Sequence, residues 1–211
     1  MSYIKRVLLV FLLLLFPQKA QATEQTGEVW NTNKISASLW ENHLGISVEE
    51  EIRIRNTDGF YYSHADVGFS NNSLGFVGFS LNYRVVYEDR DGWFIEHRPH
   101  INIAFKYKSG RVSFTNRFRV ELRLYEIKET QIRYRKKTKL SVKIEDFSVY
   151  VSNELFLIHS EKPIPRNRSS IGATFSPSKV IKLDLSYRLQ QDFKDILILN
   201  HVACLKIGVK I

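Results

Sequence analysis

Between Arg111 and Tyr125 the chain alternates so strictly that only an extended strand accommodates it. One parity reads Val112, Phe114, Asn116, Phe118, Val120, Leu122, Leu124, and the other Arg111, Ser113, Thr115, Arg117, Arg119, Glu121, Arg123, Tyr125. Side chains two apart share a face of a strand, so this segment has one greasy face and one charged face. Its length is far above the ~5–6 residues usual in soluble sheets. The same period recurs at Leu44–Arg55, Gly75–Tyr87, Trp93–Tyr107, Ile132–Lys143, Phe147–Ile158, Val180–Gln190 and Ile196–Ile211. Weaker runs cover Ile35–Trp40, Tyr61–Phe69 and Asn167–Phe175. Short turn signals separate them: Asp58-Gly59, Asn71-Asn72, Asp91-Gly92, Ser109-Gly110, Glu145-Asp146, Pro163 to Pro165 and Pro177. The reading is an all-β antiparallel meander.

Such strands fit a soluble sandwich, a lipocalin-like barrel, or a barrel with its polarity reversed for a membrane. Strand length favours the last, since a tilted membrane-spanning strand takes ~9–11 residues. Aromatics near the run ends support it as interfacial girdles: Trp40, Tyr61, Tyr62, Tyr87, Trp93, Phe94, Tyr107, Tyr125, Phe147 and Tyr187. The expectation is a transmembrane β-barrel of 10–12 strands with a basic lumen. Bacterial single-chain barrels prefer even numbers, so of the eleven runs one weak run is expected not to be a strand.

The N-terminus reads as an export leader. Lys5 and Arg6 precede an apolar run of ten, Val7 to Phe16, and Ala20-Gln21-Ala22 is an A-x-A cleavage site. The run is too short for a spanning helix, which takes about 20 residues. Residues 1–22 are expected to be a cleaved signal peptide and 23–211 a single outer-membrane barrel domain. With Lys5, Arg6 and Lys19 removed, the net charge of +9 falls to +6. The single cysteine, Cys204, makes no intramolecular disulfide and reads as a small packing residue.

Register sharpens the charged face into candidate lumen residues. With Ser109-Gly110 as a two-residue turn, Glu96 faces Arg123, Arg98 faces Glu121, His100 faces Arg119, and Asn102 faces Arg117. Pairing Tyr87 with Trp93 sets Arg84 opposite Glu96. Pairing Tyr125 with Gln131 sets Arg133 beside Arg123, Arg135 beside Glu121, Lys137 beside Arg119, and Lys139 beside Arg117. A turn at Glu145-Asp146 sets Glu154 opposite Lys137. The expected lattice holds nine cations (Arg84, Arg98, Arg117, Arg119, Arg123, Arg133, Arg135, Lys137, Lys139) against Glu96, Glu121 and Glu154. Unpaired cations are costly in a dry core, so this face is expected to be wet or anion-occupied.

Several stretches together are similar to a known family: W-F-I-E-H-R-P (Trp93 to Pro99), N-R-F-R-V-E-L-R (Asn116 to Arg123), R-Y-R (Arg133 to Arg135), N-E-L-F (Asn153 to Phe156), N-R (Asn167, Arg168) and L-S-Y-R-L (Leu185 to Leu189). They resemble the domain-of-unknown-function family 2490. The resemblance implies an exported Gram-negative outer-membrane β-barrel without a settled activity. The chain ends on Ile211, where outer-membrane barrels often end on an aromatic.

Catalysis is weighed on His64 with Asp66 and on His100 near Glu96. No G-x-S-x-G nucleophile elbow accompanies them, and no catalytic residue is assigned. His97 and His100 fall on opposite faces of a strand, so no shared metal site is expected, and no cofactor. The basic run Arg133 to Lys139 invites a nucleic-acid reading, which the export signal argues against. Expected partners are outer-membrane lipid or lipopolysaccharide and small anionic solutes. The expected function is a narrow anion-preferring channel or a structural barrel. The alternatives are a soluble periplasmic barrel binding an apolar ligand and an outer-membrane lipid hydrolase.

Overall fold

A computed structural model describes residues 24–40, 43–89, 92–126, 129–158, 164–193 and 196–211. The leader expected over residues 1–22 lies outside the described residues. Eleven strands follow one another: β1 (Glu24–Leu39), β2 (Leu44–Arg55), β3 (Gly59–Asn71), β4 (Val77–Asp89), β5 (Trp93–Ser109), β6 (Val112–Tyr125), β7 (Gln131–Ile144), β8 (Phe147–Ile158), β9 (Arg166–Phe175), β10 (Ile181–Phe193) and β11 (Leu197–Lys210). Each pairs with its sequence neighbours, and β1 joins β11 to close a barrel.

All eleven runs are strands, which corrects the expectation that one weak run is spurious. Closure explains how an odd number is tolerated. In an up-and-down meander with an odd count, the first and last strands point the same way, so the seam must be parallel. β1 and β11 pair in parallel from Glu24↔Ile198 to Ser36↔Lys210. Parallel pairing is slightly weaker per residue than antiparallel, and the long seam offsets this.

The apolar parity faces outward. On β6, Phe114, Phe118 and Leu122 are exposed, Phe118 at 43%, while Arg119 and Arg123 are buried. Few apolar side chains fill the interior; Trp30, Tyr62, Val86, Phe156 and Val202 are the most buried of them. Along the outer face of β8 to β10, polar side chains satisfy one another: Asn153 Nδ2 donates to Asn167 Oδ1 at 2.7 Å and Asn167 Nδ2 to Gln191 Oε1 at 3.2 Å.

Three expected registers slide by two residues, so parity survives and the individual pairs change. The β5–β6 turn is Gly110-Arg111, with Ser109↔Val112 as its closing pair. Gly110 has φ +55°, the left-handed geometry that a tight hairpin needs at its first turn position. His100 therefore faces Glu121 and Asn102 faces Arg119. Across β4–β5, Arg84 faces Arg98 rather than Glu96, because the hairpin closes at Asp89↔Trp93. Across β6–β7, Glu121 faces Arg133, Arg119 faces Arg135 and Arg117 faces Lys137. At the β7–β8 turn, Ile144↔Phe147 closes the hairpin and Lys137 faces Glu154 as expected.

A bulge corrects the aromatic girdle. Arg53 pairs with Tyr62 but Ile54 pairs with Phe60, so Tyr61 is an extra residue in β3. The bulge turns both Tyr61 and Tyr62 into the interior, where they are buried. Neither is an interfacial residue; Trp40, Tyr87, Trp93, Tyr107, Phe147 and Tyr187 remain exposed.

Candidate functional site

The interior is organised around carboxylates, each gripped by several arginines. Glu96 on β5 accepts from Arg98 Nε and Nη2 at 2.5 and 2.7 Å and from Arg123 Nε and Nη2 at 2.7 and 3.0 Å. Glu121 on β6 is 1% exposed. It accepts from Arg119 Nη1 at 3.2 Å, Arg133 Nε at 2.6 Å and Arg135 Nη1 at 2.7 Å. Glu154 on β8 takes Arg117 Nη2 at 2.7 Å and Arg135 Nη2 at 2.8 Å. Arg135 thus bridges two carboxylates. The period of two explains this pattern: within a strand, residues i and i+2 share the inner face, as Glu96 and Arg98 do.

The remaining lattice candidates also point inward. Arg84 Nε donates to Asp66 Oδ2 at 2.8 Å, and its Nη2 lies 3.5 Å from Glu49. His100 Nδ1 meets the Arg98 carbonyl at 3.1 Å and its Nε2 stands 3.7 Å from Asp66. Lys137 lines the cavity beside Glu154, and Lys139 Nζ lies 3.4 Å from the centre of the Tyr150 ring.

The acids are more numerous than the three expected. Glu28, Glu49, Glu51, Asp66 and Asp192 also face inward and carry ion pairs: Glu51 with Arg53 at 2.5 Å, Glu28 with Arg55 at 3.2 Å, Glu49 with Lys206 at 2.6 Å, and Asp192 with Arg166. Their strands lay outside the hairpins whose registers could be chained from turn signals. In Glu49-Glu50-Glu51, moreover, an unbroken acidic run hides which parity is inner.

A second missed feature is an aromatic and arginine cluster. Trp30 donates from its indole to Glu28 at 2.7 Å, and Arg53 lies over the same ring at 3.6 Å from its centre. Arg168 and Arg188 approach that ring at 4.8 and 4.7 Å. Phe156 is met by Arg135 at 4.6 Å and Arg168 at 4.7 Å. Cation–π contacts of this kind contribute roughly 0.5–2 kcal/mol each, more when water is excluded. Trp30 sits on the polar parity of β1, which is why alternation alone did not reveal its place. Its exposed neighbour Val29 was the conventional outward residue.

The histidines of the catalytic alternative are occupied differently. His64 Nδ1 meets the phenolic hydroxyl of Tyr62 at 3.2 Å, and its Nε2 lies 3.7 Å from Glu49. His97 faces outward and pairs with the Tyr83 hydroxyl at 2.7 Å, opposite to the inward His100.

One cavity of about 1290 Å³ runs through the interior. Its lining reaches from Glu24 and Phe193 near one end to Asn72 and Lys106 near the other. Sixteen Lys and Arg side chains line it against nine Asp and Glu, and adding Glu96 and Glu121, which are buried outside that lining, still leaves cations in excess.

These features define a class: a closed up-and-down β-barrel with an apolar outer surface and an ion-paired interior. The chain belongs to the family described as "Protein of unknown function (DUF2490)", whose model matches residues 27–196. No curated protein matches it.

Proposed function

We propose that this is an exported outer-membrane barrel whose interior is a narrow, water-filled, anion-preferring passage. The supporting observation is the combination of reversed polarity with an end-to-end cavity lined by sixteen cations and nine carboxylates. An apolar outer surface is stable against acyl chains, while a charged interior needs water or ions. Excess positive charge within low-dielectric walls raises the local anion concentration. In this reading lipid or lipopolysaccharide covers the outer face, small anions enter the cavity, and no catalytic residue is assigned.

Planar-bilayer conductance in a potassium chloride gradient tests the channel. The expected reversal potential favours chloride; absence of conductance or a cation preference overturns it. Envelope fractionation tests location separately, with extraction expected only in detergent. Release without detergent would instead support the soluble barrel. A structural barrel is the second reading, favoured by the saturation of Glu96, Glu121 and Glu154 by arginines that fill the interior. It predicts a detergent-extracted barrel that does not conduct.

A further inference from the structure

Four of the six guanidinium groups around Trp30 and Phe156 are held by carboxylates. Arg53 pairs with Glu51, Arg133 with Glu121, Arg135 with Glu121 and Glu154, and Arg166 with Asp192. Arg168 and Arg188 are different. Arg168 donates its Nε to the neutral Gln190 Oε1 at 2.7 Å, and Arg188 donates its Nε to Ser170 Oγ at 3.3 Å. Neither makes an ion pair among the described residues.

The surroundings fix both groups through neutral hydrogen-bond partners rather than ion pairs. Gln190 donates its Nε2 to Asp192 Oδ2 at 2.8 Å, which turns its amide oxygen toward Arg168 and keeps the Asp192 charge one amide away. The register sets Gln190 opposite Arg168 and Ser170 opposite Arg188, so the two arginines are diagonal neighbours on the inner face of β9 and β10. Both stand against the same Trp30 ring, and both line the cavity. Glu154 stands opposite Arg168 across β8 and β9 but is already held by Arg117 and Arg135. Two oriented guanidinium groups without an ion-pair contact of their own thus stand side by side, an arrangement that a further counter-charge would stabilise. Guanidinium forks match the oxygens of a tetrahedral anion, and two such charges match a dianion better than a monoanion.

We propose that Arg168 and Arg188, standing over Trp30, form a binding site for a small phosphate-class oxyanion, either inorganic phosphate or a phosphate monoester. The proposal rests on the reading of the interior as open to water and ions, but not on conduction.

The test is titration calorimetry on the full barrel in detergent, with inorganic phosphate, glycerol phosphate and acetate as separate probes near neutral pH. Saturable binding of one or both phosphate probes is expected, with acetate at least about tenfold weaker. Arg168→Gln with Arg188→Gln should weaken phosphate by about tenfold or more, while Arg111→Gln in the β5–β6 turn leaves it unchanged. Arg188→Gln alone, a milder change to the interior, should also weaken binding if the double variant fails to fold. No phosphate binding, equal binding of acetate, or phosphate affinity unchanged in a folded Arg168 or Arg188 variant overturns the site. Conductance separates the two proposals: a barrel that binds phosphate without conducting sinks only the channel, and one that conducts chloride without binding phosphate sinks only the site.

Discussion

Glu121→Gln isolates what the interior carboxylates do. The substitution keeps the shape of the side chain, removes its charge, and turns an amide NH₂ toward guanidinium donors. Three arginines lose their shared anion, but unequally. Arg135 keeps Glu154, with contacts at 3.1 and 2.8 Å, and Arg119 keeps Asn102 Oδ1 at 2.6 Å. Arg133 loses the only carboxylate it pairs with among the described residues, at 2.5 Å. The cost is therefore that of orphaning one buried charge, about 3–5 kcal/mol in a dry interior. Because Arg133 lines the cavity, which is water-filled in the proposed reading, the lower end of that range is expected. Urea unfolding of the barrel in lipid vesicles, followed by tryptophan fluorescence, measures this directly. Glu121→Gln combined with Arg133→Met should recover a large part of the loss, since the orphaned charge has gone. A shift below about 1 kcal/mol for the single variant, or no recovery in the double, would refute the view that these carboxylates hold the arginine lattice together.

Three further outcomes are expected. Trp30→Leu removes the ring shared by Arg53, Arg168 and Arg188 and should destabilise the barrel by about 3–5 kcal/mol in the same unfolding assay, by analogy with large-to-small replacements in packed interiors. Gly172→Ala places a methyl group 2.6 Å from the Leu185 carbonyl and 2.8 Å from Tyr150 Cζ, so Tyr150 can no longer lie over the strand; a loss of about 1–3 kcal/mol is expected. Phe118→Arg, at an exposed outer position near the middle of β6, should lower stability in vesicles by roughly 2–4 kcal/mol if that face meets lipid; a negligible cost there would argue against the membrane reading.

The faces were legible because alternation is strong where it matters. Arg117, Arg119, Glu121 and Arg123 share one side of β6, and any register that keeps parity sends them inward together. The pairings were less legible, because a two-residue slide leaves every face intact. Whether Arg98 or His100 stands opposite Glu121 depended on where Gly110 enters its turn, a matter of one backbone angle. The first half of β1 was missed for a different reason. Glu24 to Lys34 puts polar Asn31 and Asn33 on the outer parity beside Val29 and puts Trp30 on the inner one beside Thr26 and Thr32, so the pattern loses its contrast there.

The amino-acid order alone specified long strands, short connections and the sorting of greasy from charged side chains, because a two-residue repeat is a local property of extended backbone. Closure by a parallel seam, the bulge that turns Tyr61 inward, and the meeting of Arg168 and Arg188 over Trp30 were decided only in three dimensions. Each depends on how strands distant in the chain come to lie beside one another, and turn geometry and barrel closure set that, not the local repeat.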